Sequence, residues 1–110
     1  MSDAYPMKDF IDLQGASGAA YRFRLWADGA DHQPIAGNYV CVQAEGGEAR
    51  IVSVGETLDL SAVREALPKR LREATTHIYT RLNVARAIRC AEHEDLMARH
   101  APGRTRAPAA

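Results

Sequence analysis

Apolar and polar residues alternate along two short stretches near the start of the chain, at residues 10–13 and 21–26. Alternation with a period of two is typical of a half-buried strand. The residues between these stretches include Gly-Ala-Ser-Gly at positions 15–18, which favours a turn. The pattern therefore predicts an N-terminal β-hairpin, followed by a polar loop at residues 28–34.

A second hairpin is predicted by a nearly continuous apolar run, Tyr-Val-Cys-Val at residues 39–42. Such a run is expected of a central strand that is buried on both faces. Residues 45–48 read Glu-Gly-Gly-Glu, and two adjacent glycines favour a tight turn because both accept positive φ angles. Residues 51–54 then predict the return strand, which Gly55 is expected to end.

The second half of the chain predicts helices around one further strand. Residues 59–61 open a helix, with Ser61 as the expected N-cap. Pro68 breaks or restarts this helix, and residues 69–74 form a short basic one. The β-branched, alternating residues 76–82 predict a fifth strand. A last helix is expected from Val84 to about His100.

The predicted order is therefore ββ-ββ-α(α)-β-α, without an internal repeat. This order indicates an α+β fold in which a small, mainly antiparallel sheet with an N-terminal β-hairpin is flanked by helices. The length of 110 residues is enough for one small domain.

The net charge is zero but unevenly distributed. Residues 1–63 carry 4 basic and 9 acidic groups, a net −5, whereas residues 64–110 carry 10 basic and 5 acidic groups, a net +5. This asymmetry permits a basic face on the C-terminal half, although solvated helix surfaces with i,i+4 ion pairs are the more ordinary explanation. Phosphate binding would involve the arginines of this half. A wider surface that also includes Arg22 and Arg24 is an alternative, and a solvated sheet edge and helix face would explain these arginines equally well.

Three further features bear on where the protein works. No apolar run approaches the roughly 20 residues that a membrane span needs, so no membrane association is expected. The first six residues have neither a basic start nor an apolar stretch, which favours the cytoplasm. Cys41 and Cys90 are expected to be small buried hydrophobes and not a disulfide.

Several short motifs follow one another between residues 37 and 102 in a distinctive order. They are Gly37-Asn38-Tyr39-Val40, Val52-Ser53-Val54-Gly55-Glu56-Thr57, Asp59-Leu60, Thr76-His77-Ile78-Tyr79, Glu92-His93-Glu94-Asp95-Leu96 and His100-Ala101-Pro102. In this order the motifs resemble the GIY-YIG nuclease domain. The resemblance implies a core at residues 37–102 and an N-terminal hairpin extension and loop at residues 1–36. The composition of residues 103–110, which are rich in Pro, Gly, Ala and Arg, predicts a disordered tail.

The resemblance also implies roles for particular residues. Tyr39 matches the tyrosine beside the attacking water, where a phenol needs help to act as a base near neutral pH. The tyrosine of the second motif is replaced by Ser53. The arginine that neutralises phosphate charge in the transition state falls on Val63, with Arg64 next to it.

The glutamate that holds a divalent metal in this family falls on His93, with Glu92 and Glu94 on either side. A histidine binds transition metals but is a poor magnesium ligand. The final asparagine of the family falls near Thr105. The resemblance thus implies a preserved scaffold with altered catalytic positions.

Three hypotheses follow. The first is a binding module that has lost most or all nuclease activity and holds DNA, other nucleic acid or a protein partner. Nucleic acid would contact Arg81, Arg86 and Arg89, while Gly55 lets a phosphate approach the backbone. The second is a divergent endonuclease that uses Mg²⁺ or Mn²⁺ with a site consisting of Tyr39, Arg64 and Glu92 or Glu94. The third is a structural interaction domain without nucleic-acid contact. No organic cofactor is expected.

Overall fold

The computed structural model of the chain describes residues 8–100, in which five strands and three α-helices confirm the predicted α+β class. The strands are β1 (Phe10–Gln14), β2 (Ala20–Trp26), β3 (Gly37–Glu45), β4 (Glu48–Thr57) and β5 (His77–Leu82). The helices are α1 (Val63–Ala66), which follows a 3-10 turn at Leu60–Ala62, then α2 (Lys69–Ala74) and α3 (Arg86–His100).

All strand pairs are antiparallel, and the sheet order is β1-β2-β5-β3-β4. Strand β5 therefore returns between the two hairpins and joins them into one sheet. Strand β3 is an inner strand, paired on both sides with β4 and β5, as its apolar sequence predicted. The tight turn between β3 and β4 has φ angles of 63° at Gly46 and 85° at Gly47, which confirms the role of the two glycines.

Helices cover both faces of the sheet. On one face, α3 packs through Leu96 against Phe23, Val40, Val54 and Tyr79. On the other face, the 3-10 turn and helices α1 and α2 cover a second cluster. Its buried members are Leu60, Val63, Leu67, Trp26, Cys41, Val52 and Ile78. Because successive residues of a strand point to opposite faces, β3 and β5 each contribute to both clusters. Strand β4 contributes Val52 and Val54 to different clusters because its ladder with β3 shifts register between Cys41 and Val42.

Two predictions about the segment between β4 and α1 are wrong. Gly55 does not end β4, because Glu56 and Thr57 continue the ladder opposite β3. Ser61 is not the N-cap either. The carboxylate of Asp59 caps the turn by accepting hydrogen bonds from the backbone N–H and the hydroxyl of Ser61, at 3.0 and 2.6 Å. A side chain two residues earlier thus takes the capping role expected of the serine.

The last helix begins at Arg86, two residues later than expected, and none of the helices within residues 8–100 is long and apolar enough to cross a membrane. The expectation of a disordered tail at residues 103–110 lies outside the described residues.

The N-terminal hairpin is joined to α3 by Asp95. The carboxylate of Asp95 accepts hydrogen bonds from the Tyr21 hydroxyl at 2.7 Å and from the backbone and hydroxyl of Ser17, at 2.8 and 2.7 Å. The Tyr21 hydroxyl and then the Ser17 donors lower the pKa of Asp95, because they stabilise its ionised form. Gly15 leaves space for this carboxylate, since a Cβ there would collide with it.

We expect Asp95→Asn to destabilise the protein at neutral pH and to have little effect in acid. A carboxyl whose pKa is lower in the folded state stabilises the fold above its unfolded pKa and ceases to do so as the pH falls through its folded pKa. Urea unfolding of both proteins at pH 7 and below about pH 3 measures this difference. The neighbouring Glu94→Gln is the control. A penalty for Asp95→Asn that is equal at both pH values would contradict the assignment.

Candidate functional site

The two glycine-containing motifs lie directly opposite each other on β3 and β4. Tyr39 pairs with Gly55, and Cys41 pairs with Ser53. Alternate residues of a strand share a face, so the side chains of Tyr39 and Ser53 both point toward α1 and α2. Two positions that the resemblance links to catalysis therefore lie side by side on one face of the sheet.

The ring of Tyr39 crosses directly over Gly55, where a Cβ atom would collide with it. Tyr39 is half-buried against the cluster beneath α1 and α2. Burial raises the pKa of Tyr39, and Cys41 and Glu56 raise it further. Because a phenol with a raised pKa deprotonates less readily, this environment makes Tyr39 a poorer base near neutral pH.

Arg64 is held by the loop that follows β2. Its guanidinium donates hydrogen bonds to the carbonyl oxygens of Trp26 and Ala27 at 2.9 and 2.8 Å, and to that of Ala30 at 3.3 Å. The guanidinium carbon also lies 3.9 Å from the centroid of the Trp26 ring. Arg64 therefore braces the loop against α1, and a phosphate would have to compete with three carbonyl groups for its donors.

The predicted metal ligands Glu92, His93 and Glu94 lie on α3. Glu92 accepts hydrogen bonds from Arg81 Nε at 2.9 Å and from Asn83 at 2.8 Å, whereas Glu94 is exposed. The Nδ1 atom of His93 is buried without a hydrogen-bond partner. Adjacent residues of a helix point about 100° apart, so these three side chains diverge. Within residues 8–100 no group of three or more His, Cys, Asp or Glu residues is arranged to hold a metal ion.

The three predicted phosphate-binding arginines have different environments. Arg81 forms an ion pair with Glu92, with 2.9 Å between Nε and Oε1. Arg89 is only 3% exposed and forms an ion pair with Glu56 at 2.7 Å. Arg86 is exposed on the first turn of α3. Of the three, Arg86 alone has its guanidinium open to a ligand without breaking an ion pair.

The sheet separates the two groups of predicted catalytic residues. Asn38 is the neighbour of Tyr39 on β3 and points to the opposite face, where it donates a hydrogen bond to the Arg89 carbonyl of α3 at 3.1 Å. Asn83 donates to both Asn38 and Glu92, so Glu92 belongs to that opposite face. One face of the sheet therefore carries Tyr39 and Ser53 together with Arg64 of the overlying α1. Glu92 lies on the other face.

The sequence analysis considered Arg22 and Arg24 as phosphate contacts but did not predict the groove that they line. An open groove of about 520 Å³ lies on the face of the N-terminal hairpin that points away from α3, and we call it the hairpin groove. Its lining includes Phe10, Arg22, Arg24, Trp26, His32 and Thr80. The alternation of residues in β2 could have indicated this polar face of the hairpin. The residues between the apolar Tyr21, Phe23 and Leu25 are Arg22 and Arg24, and they occupy the second face with Trp26.

Comparison of the chain with protein-family models, with curated proteins and with solved structures found no match.

Proposed function

We propose that the chain is a GIY-YIG-like domain that binds nucleic acid without cleaving it. The register of the two strand motifs supports the likeness, because the first motif lies beside the second with Tyr39 over Gly55. The small antiparallel sheet with helices on both faces also agrees with the architecture that the likeness implies.

We expect no cleavage because the predicted catalytic residues are divided between the two faces of the sheet. Helices and sheets pack as layers about 10 Å apart, so groups on opposite faces of a sheet cannot contact the same phosphate. Transition-state stabilisation of phosphoryl chemistry needs fixed cations at that one group. Arg64 and Glu92 are also both engaged by neighbouring groups, so neither is free for this task.

The residues present do not fit a divalent metal at the position that the likeness implies. Glu92 is held by Arg81, and the side chains of Glu92, His93 and Glu94 diverge around the helix. A metal ion needs ligands that converge on one point. We therefore derive no catalytic step that depends on a metal ion at this position.

Binding of nucleic acid is supported by the cations that remain at the surface. The C-terminal half of the chain carries the net charge of +5, and several of its basic residues are exposed. They are Lys69, Arg70, Arg72, Arg86 and Arg99. Exposed cations of this kind attract the phosphate backbone without reading its sequence. We propose the cytoplasm as the compartment, where the two free thiols of Cys41 and Cys90 are ordinary.

The test combines cleavage and binding measured on the same oligonucleotides. We expect no cleavage of plasmid, branched or single-stranded DNA with Mg²⁺ or Mn²⁺. We expect binding whose affinity falls as salt rises, with a log–log slope of about −0.7 per phosphate contacted on a single strand. Fluorescence anisotropy at several salt concentrations measures this slope.

The Tyr39→Phe variant is the matched control for cleavage. Metal-dependent cleavage that disappears in this variant would replace the proposal with an endonuclease that uses Tyr39, Arg64 and Glu92 or Glu94. Binding that is absent or insensitive to salt would contradict the proposal and would favour a protein partner. Arg86→Glu tests the helix surface, because Arg86 is exposed and makes no ion pair among residues 8–100.

A further inference from the structure

We infer that the hairpin groove binds a nucleotide unit of a single strand, with a phosphate at Arg24 and a base on the ring of Phe10. This inference rests on the proposed function and adds to it the site and the form of the nucleic acid. It concerns residues on β1, β2, β5 and the loop between β2 and β3.

The groove exists because helices cover only part of this face of the sheet. The first hairpin directs Ile11, Leu13, Tyr21, Phe23 and Leu25 toward the cluster beneath α3. On the opposite face, α1 and α2 pack over the other strands and reach the hairpin only at Trp26. Within residues 8–100 no helix covers the rest of the hairpin, so its second set of side chains faces an open surface.

Three side chains lie in a row across the floor of the groove. Phe10 on β1 is directly opposite Arg24 on β2, which is in turn opposite Thr80 on β5. Neighbouring strands are about 5 Å apart, so an aromatic ring, a guanidinium and a hydroxyl stand next to one another. Phe10 is 47% exposed, although an aromatic side chain on a sheet is ordinarily covered.

Arg24 is the available cation of the row. Its neighbour Arg22 is occupied by an ion pair with Asp12, at 2.9 Å, and lies 5.6 Å from the centroid of the Phe10 ring. The Arg22–Asp12 pair therefore contributes no net charge to the floor. Arg24 is exposed and has neither an ion pair nor a side-chain hydrogen bond among the described residues. An anion at this point would meet a guanidinium that has no partner among the described residues, and Asp31 is the acidic residue that also lines the groove.

The wall of the groove is held in place before any ligand binds. His32 contacts the Gln33 carbonyl through Nδ1 at 2.9 Å and the Thr80 hydroxyl through Nε2 at 2.7 Å. A carbonyl oxygen only accepts, so Nδ1 donates to Gln33, while the Thr80 hydroxyl can either donate to Nε2 or accept from it. Trp26 packs edge-on against His32 and donates to the Ala30 carbonyl at 2.8 Å. A wall that is already ordered loses little entropy on binding.

These groups match a nucleotide of a single strand better than they match other anions. An exposed aromatic ring on a sheet offers a stacking surface for an unpaired base, and a neighbouring arginine holds the phosphate. The bases of a duplex are already stacked and cannot reach the ring. An acidic peptide would satisfy Arg24 but would leave the exposed ring of Phe10 without a partner.

Trp26 is the only tryptophan of the chain and lines the groove, so its fluorescence reports on occupancy. The protein is titrated with single-stranded DNA and RNA of about 10 nucleotides, the length of small binding sites, and with the matched duplex and free nucleoside monophosphates. We expect the single strands to change the Trp26 emission and to bind more tightly than the duplex. Saturation by free monophosphates at the same affinity would also support the site and would identify a free nucleotide as its ligand.

The variants Arg24→Ala and Phe10→Ala test the two contacts separately. We expect each to weaken single-strand binding about tenfold, and Arg24→Ala also to make the log–log salt slope shallower by about 0.7. Both residues are exposed, so both variants should fold, and circular dichroism checks that they do. Arg50→Ala on β4 removes an exposed arginine outside the groove and should change the affinity less than twofold.

The outcomes separate this inference from the proposed function. Binding of nucleic acid that is unchanged in Arg24→Ala and Phe10→Ala but lost in Arg86→Ala would overturn the groove and leave the proposed function intact. Duplex bound as tightly as single strand would have the same consequence. Absence of all nucleic-acid binding would overturn both the groove and the proposed function. A change in Trp26 emission with polyglutamate but not with nucleic acid would identify an acidic peptide as the ligand instead.

Discussion

Arg89→Ala is expected to lower the melting temperature of the protein by roughly 15 °C. Breaking an ion pair by removing one buried partner costs about 3 to 5 kcal/mol, and the low end applies because Glu56 is 32% exposed. For a domain of about 100 residues, each kcal/mol corresponds to about 4 to 8 °C. Thermal unfolding followed by circular dichroism measures the change.

The expected loss of stability is large because the Arg89 guanidinium donates hydrogen bonds to several acceptors at once. Besides Glu56, its guanidinium donates hydrogen bonds to the carbonyl oxygens of Val84 at 2.9 Å and Asn83 at 3.4 Å. The hydrogen bond from the buried Asn38 to the backbone carbonyl of Arg89 does not involve the side chain and remains in the alanine variant. Alanine would leave a partly buried carboxylate and two carbonyls without their donor, and such unsatisfied groups are costly.

Arg86→Ala is the matched control, since it removes the same side chain three residues earlier on the same helix. Arg86 is exposed, so its loss should change the free energy of unfolding by less than about 0.5 kcal/mol. Arg89→Lys preserves the charge without the planar guanidinium and should lie between the two. Equal stability of Arg89→Ala and Arg86→Ala would contradict the structural role of Arg89.

This comparison illustrates why the sequence could not separate the arginines. Arg86 and Arg89 are three residues apart on one basic helix, and helical periodicity alone does not say which one faces the sheet. The distinction comes from Glu56, which is 33 positions away from Arg89 in sequence and reaches it only through the packing of α3 on β4. Reduced nucleic-acid binding by an Arg89 variant would therefore report on folding.

The elements of the fold were easier to predict, because their signals are local. Alternation in residues 10–13 and 21–26, the apolar run at residues 39–42 and the two glycines of the turn all act within a few positions. The position of β5 between the hairpins and the separation of Tyr39 from Glu92 depend on tertiary contacts. The hairpin groove depends on both a local signal and tertiary packing. Alternation in β2 places Arg24 on the second face, and that face stays uncovered because α1 and α2 reach the hairpin only at Trp26.

The glycine of the second motif has a packing role that does not require catalysis. We expect Gly55→Ala to reduce the free energy of unfolding by about 1 to 3 kcal/mol, the usual cost of forcing an atom into a packed site. The added Cβ would meet the ring of Tyr39, which is half-buried and has little room to move. Urea unfolding of the two proteins measures the loss.

The Tyr39→Ala background is the decisive comparison, because it removes the ring that the new methyl group meets. The φ angle of Gly55 is not among the positive values of the described glycines, so alanine is compatible with its backbone. In this background Gly55→Ala should be neutral or stabilising by up to about 1 kcal/mol, since alanine restricts the unfolded chain. An equal penalty in both backgrounds would show that the two positions are not coupled, and the pairing of the motifs would then need another explanation.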